Sequence, residues 1–66
     1  MKAYRNRGFA YSSLKNYREA IADYTKVIEF DPNDVVTYTN RGDAYKAIGK
    51  TIEVEANFAK ANALQK

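Results

Sequence analysis

The sequence contains no cysteine, no histidine and no tryptophan, and it has only one proline and three glycines among its 66 residues. The lack of cysteine excludes disulfides and thiolate metal sites, and it permits a reducing compartment. The lack of histidine removes the most common general base, the most common zinc ligand and the imidazole pH switch. Because a chain of this length buries only about 60% of its unfolded surface, we expect marginal stability.

Long hydrophobic runs are also missing. The apolar runs are far too short to span a bilayer, and the first five residues lack the hydrophobic core of a signal peptide. We therefore expect a cytoplasmic protein without a membrane partner. A full-length protein, a fragment of a longer array and a designed unit all fit this sequence.

Patterns that carry catalysis or hold a cofactor are not found. Ser12 and Ser13 have no histidine to activate them. Glu19 and Asp23 lie one helical turn apart on a face that we interpret as solvated. The three glycines are scattered, whereas phosphate-binding loops group them. We predict that the chain is not an enzyme and holds no cofactor or metal.

The chain does have an internal repeat. When it is shifted by the interval from Tyr4 to Tyr38, nine positions are identical in the two copies. The pairs are Tyr4/Tyr38, Asn6/Asn40, Arg7/Arg41, Gly8/Gly42, Ala10/Ala44, Tyr11/Tyr45, Glu19/Glu53, Ala22/Ala56 and Lys26/Lys60. Repeats of about 20–50 residues indicate solenoids or arrays. We place repeat one at residues 1–34 and repeat two at residues 35–66 of a single domain.

Within the first copy the apolar residues recur at spacings of three, four and seven, which is typical of amphipathic helices and not of strands. We predict an all-α fold of two tandem antiparallel helical hairpins with a right-handed arrangement. The first, third and fourth helices are expected at about residues 2–14, 36–48 and 52–64. The short links between paired helices favour antiparallel packing.

Turn-forming residues separate these helices. Asn16 is expected to leave the first helix through the left-handed region or to cap the second. Pro32 ends the second helix, and Asn33 or Asp34 caps the third. Gly49 is a good left-handed terminator of the third helix, and Thr51 is expected to cap the fourth.

Gly8 lies in the middle of the first helix, where glycine costs about 1 kcal/mol relative to alanine. We expect it to permit close approach of the second helix, with the small Ala20 facing it. In the second copy Val54 takes the place of Ala20 opposite Gly42, which predicts a looser second hairpin.

The fourth helix is the least faithful part of the repeat. Ile21 and Ile28 of the second helix correspond to Glu55 and Asn62 in the fourth. We interpret this polar replacement as the outer cap that helical arrays require for solubility. Drift in a decaying repeat is the alternative.

The spacing Tyr4-x2-Arg7-Gly8-x2-Tyr11, followed by Ala20-x3-Tyr24 and Pro32, resembles the tetratricopeptide repeat, whose pattern is W-x2-L-G-x2-Y, A-x3-F and P. The resemblance covers nearly the whole chain. It departs from the pattern at Tyr4 in place of tryptophan and at Arg7 in place of leucine. We expect the methylene stem of Arg7 to pack while its charged end reaches water.

The resemblance implies a protein-interaction module, in which the first helix of each pair lines a concave groove for a peptide. Carried onto this sequence, the peptide-binding residues are expected to be Lys2, Arg5, Asn6, Phe9, Ser12 and Ser13 from the first helix and Thr39, Asn40, Asp43 and Lys46 from the third. Phe9 is a candidate hot spot because it is an aromatic residue on a polar face. Its alternative role is to pack against a neighbouring side chain or against a symmetry-related copy of the chain.

The charge of Arg5 favours an acidic or carboxylate-bearing peptide as the partner. Some members of the family hold a C-terminal carboxylate with basic residues and asparagines from three repeats. This chain has Phe9 where that clamp needs an asparagine and lacks the third repeat, so we expect no complete clamp.

Two other functions fit the sequence. The chain can be a structural or self-associating minimal unit, with a homo-oligomer formed through the uncovered face around Ala3, Tyr4 and Tyr11. Alternatively, the basic first helix, together with the net charge of +3, can bind single-stranded nucleic acid. Asp43 interrupts the basic stripe, which makes nucleic acid the weaker expectation.

Overall fold

The computed structural model describes residues 2–65 and the side chains of residues 3–65, and within that range the protein is built of α-helices without strands. The helices are α1 (Lys2–Ser13), α2 (Tyr17–Phe30), α3 (Val35–Ala47) and α4 (Thr51–Gln65). The predicted all-α fold is confirmed, and the expected ends of α1, α3 and α4 lie within one residue of those observed.

The helices form two hairpins that pack side by side. α1 packs on α2, α3 packs on α4, and α2 lies against α3, while α1 and α3 touch only slightly. The buried apolar residues come from α2, α3 and α4: Ala20, Tyr24, Val27, Tyr38, Ala44 and Ala61. α2 and α3 are therefore the central helices, since each packs against a helix on both sides.

Each hairpin has a glycine at its helix crossing, as predicted. A Cβ on Gly8 would lie 2.7 and 2.9 Å from ring atoms of Tyr24 and 3.3 Å from Cβ of Asp23. A Cβ on Gly42 would lie 2.9 Å from the ring of Phe58. The predicted partners, Ala20 and Val54, are not among the residues nearest to these positions. The crossing lies one turn further along the second helix, where an aromatic ring covers the glycine.

The two hairpin turns have the same hydrogen-bond pattern. Asn16 N donates to Tyr11 O at 2.8 Å and Lys15 N to Ser12 O at 2.9 Å. Lys50 N and Gly49 N repeat these bonds to the carbonyls of Tyr45 and Lys46 at 3.0 and 3.1 Å. Both are Schellman motifs, in which the residue after the C-cap adopts the left-handed conformation.

The left-handed residue of the first turn is Lys15, with a φ of 65°, and that of the second is Gly49, with a φ of 78°. The expectation that Asn16 takes this conformation was wrong; Asn16 precedes α2 with a φ of −89°, and its side chain makes no capping bond. Asp34 does cap α3, because its side chain accepts from Thr37 N. α4 begins at Thr51 itself.

Arg7 binds a buried carboxylate while its side chain stays exposed to water, as expected. Its Nε and Nη2 donate to the two oxygens of Asp23 at 2.8 and 2.7 Å. This hydrogen-bonded pairing raises the pKa of Arg7 above its ordinary value. Asp23 is 5% exposed, so the interpretation of its face as solvated was wrong, although Glu19 is exposed.

Glu55 and Asn62 of α4 are exposed, whereas Ile21 and Ile28, their counterparts on α2, are half-buried. The polar residues of α4 are thus exposed to solvent in this chain, as the interpretation of α4 as an outer cap requires. None of the described helices is long and apolar enough to cross a membrane.

We expect Gly8→Ala to destabilise the protein. The added methyl would meet the ring of Tyr24, which is fully buried and cannot swing aside. Overpacking costs about 1–3 kcal/mol, and the better helix propensity of alanine offsets about 1 kcal/mol of it. A net loss of up to about 2 kcal/mol in the free energy of unfolding should appear in urea denaturation followed by circular dichroism. Ser13→Ala, at an exposed site of the same helix, is the control, and an equal gain in both variants would contradict the close crossing.

Lys15→Gly should stabilise the protein, because glycine adopts the left-handed conformation without a steric penalty. A non-glycine residue in this conformation costs about 1–2 kcal/mol. Glycine avoids this cost, but it loses more conformational entropy on folding, which offsets part of the gain. We expect a gain of about 0.5–1 kcal/mol in the free energy of unfolding. The reciprocal variant Gly49→Lys should lose a similar amount, since nothing lies within 4 Å of a Cβ at that position. A loss of stability in Lys15→Gly would refute this account of the turn.

Candidate peptide-binding groove

A groove of about 570 Å³ runs between the first helices of the two hairpins. Its lining residues are Arg5, Asn6 and Phe9 of α1 and Val36 and Asn40 of α3. The groove is open because α1 and α3 touch only slightly, while α2 fills the space on their other side.

The position of these residues follows from helical spacing. Positions 5, 6 and 9 share one face of α1, and positions 36 and 40 are one turn apart on α3. Phe9 is 61% exposed and Val36 is 55% exposed, so both apolar side chains are available to a ligand.

Asp34 orients the positive charge of the groove. Its Oδ2 accepts from Nη1 of Arg5 at 3.2 Å, and its Oδ1 accepts from the backbone N of Thr37 at 3.1 Å. The carboxylate of Asp34 therefore both caps the N-terminus of α3 and holds the guanidinium of Arg5 in place. Within the part of the chain that the structure describes, the other N–H groups of Arg5 make no hydrogen bond.

The structure brings four of the expected binding residues together in the groove, namely Arg5, Asn6, Phe9 and Asn40. Val36 is a fifth lining residue, which the sequence reasoning missed. The signal was present in the sequence, because an aliphatic residue four positions before Asn40 falls on the same face of α3.

The remaining expected residues lie elsewhere. The Ser12 hydroxyl is 3.5 Å from that of Tyr24, and the Thr39 hydroxyl donates to its own helix at Val35 O. Lys46 borders a separate depression at the turn between α3 and α4. Exposed Ser13 and Asp43 do not line the groove. The side chain of Lys2 lies outside the described residues.

No group of three or more histidine, cysteine, aspartate or glutamate side chains that could hold a metal ion occurs in the described range. The groove presents two apolar side chains, two amides and one oriented guanidinium.

We expect Asp34→Ala to be more damaging than Asp34→Asn. Asparagine keeps an acceptor for Thr37 N and loses only the partly exposed ion pair with Arg5, so the loss should stay below about 0.5 kcal/mol. Alanine removes the cap, which costs about 1 kcal/mol. Urea denaturation of the two variants measures the difference, and equal losses would show that the cap does not stabilise α3.

Comparison with known protein families finds two matches to this chain. A tetratricopeptide-repeat profile matches residues 2–34, and a second profile of that family matches residues 23–56. The second match begins within α2, so the two matches overlap over residues 23–34.

Several curated proteins are similar to this chain in sequence. Heat shock protein STI1 of Saccharomyces cerevisiae is 33% identical over 58 residues, covering 88% of this chain and 10% of that protein. Hsp70-Hsp90 organizing protein 3 of Arabidopsis thaliana is 32% identical over 66 residues, covering 85% and 12%. Protein O-mannosyl-transferase TMTC3 of Mus musculus is 29% identical over 63 residues, covering 96% and 7%. The chain thus spans about a tenth of the length of these relatives.

Such repeats are typically non-catalytic protein-interaction modules, and the relatives named as organizing proteins agree with that role. The repeat spacing, the four helices with their glycine crossings and the profile matches lead to one conclusion: the chain belongs to the tetratricopeptide-repeat family.

Proposed function

We propose that the groove between α1 and α3 binds an extended peptide segment of a partner protein. The observation that carries this proposal is the pair of exposed apolar side chains, Phe9 and Val36, which line one groove together with Arg5, Asn6 and Asn40. Exposed apolar residues rimmed by polar ones are typical of interaction sites.

The apolar pair supplies most of the affinity. Burying a large apolar side chain of the peptide against Phe9 and Val36 contributes about 1.5–3 kcal/mol. Aromatic anchors near the centre of an interface often dominate its binding energy. Phe9 is therefore the residue on which binding depends most.

The polar residues give orientation and specificity. Each asparagine amide, Asn6 and Asn40, can donate to a peptide carbonyl and accept from a peptide N–H. The open edge of Arg5 can form charge-assisted hydrogen bonds with a carboxylate. We accordingly propose that the peptide carries an acidic group next to its apolar anchor.

The ion pairs of the arginines of α1 favour a peptide over nucleic acid as the ligand. Arg5 is bonded to Asp34 and Arg7 to Asp23, so two cations of α1 are already neutralised within the chain. A phosphate backbone would meet these carboxylates as well as the guanidinium groups. A single carboxylate at the free edge of Arg5 fits this balance of charge better than a polyanion does.

Selection from a display library of random ten-residue peptides, followed by calorimetry with the enriched sequences, tests the proposal. Phe9→Ala should weaken binding at least about tenfold, because it removes the apolar anchor. Arg5→Gln should reduce both the affinity for acidic peptides and its dependence on salt. Phe30→Ala is the matched control, since Phe30 is 66% exposed and does not line the groove, so it should leave binding unchanged.

Two results would contradict the proposal. One is a library selection that enriches no peptide above background. The other is an enriched peptide whose affinity is the same for the protein and for Phe9→Ala, since that peptide would bind elsewhere.

A further inference from the structure

The face of α3 that lines the groove continues beyond it to a carboxylate. Val36 and Asn40 line the groove, and Asp43 follows Asn40 by three residues in the same helix. Because residues three and four positions apart share one face of a helix, Asp43 lies one turn beyond the last lining residue of α3. Asp43 is exposed, and it forms no ion pair with a described residue.

The first helix brings a hydroxyl to the same region. Ser12 follows Phe9 by three residues and so lies one turn beyond it on α1. The Ser12 hydroxyl is 3.5 Å from that of Tyr24. Burial raises the pKa of the Tyr24 hydroxyl above its ordinary value, and the charge of Asp43 raises it further, while the bond with Ser12 acts the other way. Ser12 of α1 and Asp43 of α3 thus both lie near this hydroxyl, where the groove continues between the two helices.

The surface that runs from the groove to this region carries opposite charges at its two ends. At one end the guanidinium of Arg5 is shared with Asp34 at 3.2 Å. At the other end lies the carboxylate of Asp43. Lys46, one turn further along α3, borders the separate depression formed with α4. The surface therefore has one cation that is already paired and one carboxylate without a counter-charge.

We propose that the peptide held in the groove also carries a basic residue, which pairs with the carboxylate of Asp43. The ligand is then an extended segment with an acidic residue at Arg5, an apolar anchor at Phe9 and a basic residue beyond it. This proposal rests on the peptide-binding function proposed for the groove. It makes Asp43 a determinant of specificity, since a second acidic residue at this position would be repelled.

Helix geometry gives the spacing between the two charged residues of the peptide. Arg5 and Ser12 are seven residues apart, which is about 10 Å along α1. An extended chain advances about 3.3 Å per residue. The basic residue is therefore expected two to four positions from the acidic one, with the apolar anchor between them.

The probes are labelled ten-residue peptides with blocked ends, in which glutamate and leucine are adjacent in a background of serine and glycine. Lysine is placed two to seven positions from the glutamate, and a reference peptide has glutamine in its place. The series is made in both orders of the two charges, and the order that binds more tightly is used. Fluorescence anisotropy with the full chain should show about two- to fivefold tighter binding than the reference at spacings of two to four, as an exposed ion pair provides. The advantage should disappear at a spacing of seven and at high salt.

Variants of the protein assign this advantage to one carboxylate. Asp43→Asn should bind the lysine and glutamine peptides equally and should bind the reference as the unchanged protein does. Asp43→Lys should prefer glutamate at the scanned position. Because Asp43 is exposed, neither variant should alter the circular dichroism. The matched control is Glu55→Gln, which removes an exposed carboxylate of α4 and should keep the preference for lysine.

The proposal is overturned if lysine gives no advantage at any spacing, or if Asp43→Asn keeps the advantage. In either case the peptide-binding function still stands when Phe9→Ala weakens binding of the glutamine reference. If no peptide of the series binds, the peptide-binding function fails, and the role of Asp43 fails with it.

Discussion

Each pair of helices crosses where a glycine of one lies against an aromatic ring of the other. Gly8 lies against Tyr24 and Gly42 against Phe58. Because glycine has no Cβ, the ring occupies space at the crossing that any other side chain would contest. The angle and depth of this crossing determine which faces of α1 and α3 turn away from α2, and so where the groove opens.

Polar contacts are built around the same crossing. In each hairpin an arginine one position before the glycine reaches a residue sixteen positions later, which is Asp23 for Arg7 and Asn57 for Arg41. Both acceptors are buried, at 5% and 4% exposure. A buried polar group is costly unless it is bonded, so the arginine stabilises the hairpin where the family pattern has a leucine.

The groove between α1 and α3 exists because these helices touch only slightly, and it combines exposed apolar side chains with oriented polar ones. On another face of α3, Thr37, Tyr38 and Ala44 are buried, and α2 packs against this helix. The corresponding residues of α1, which are Ala3, Tyr4 and Ala10, are exposed or half-buried.

Periodicity, turn residues and the internal repeat were sufficient to determine that the chain is a pair of helical hairpins, and to locate four of the five groove residues, because helical spacing is a local property. Only the tertiary structure decided that the ring of Tyr24 covers Gly8, that Asp23 is buried and that Lys15 adopts the left-handed conformation. The conformation of Lys15 depends on the geometry of the turn. The first two depend on the register of one helix along another, which brings together residues sixteen positions apart, so no local pattern specifies them.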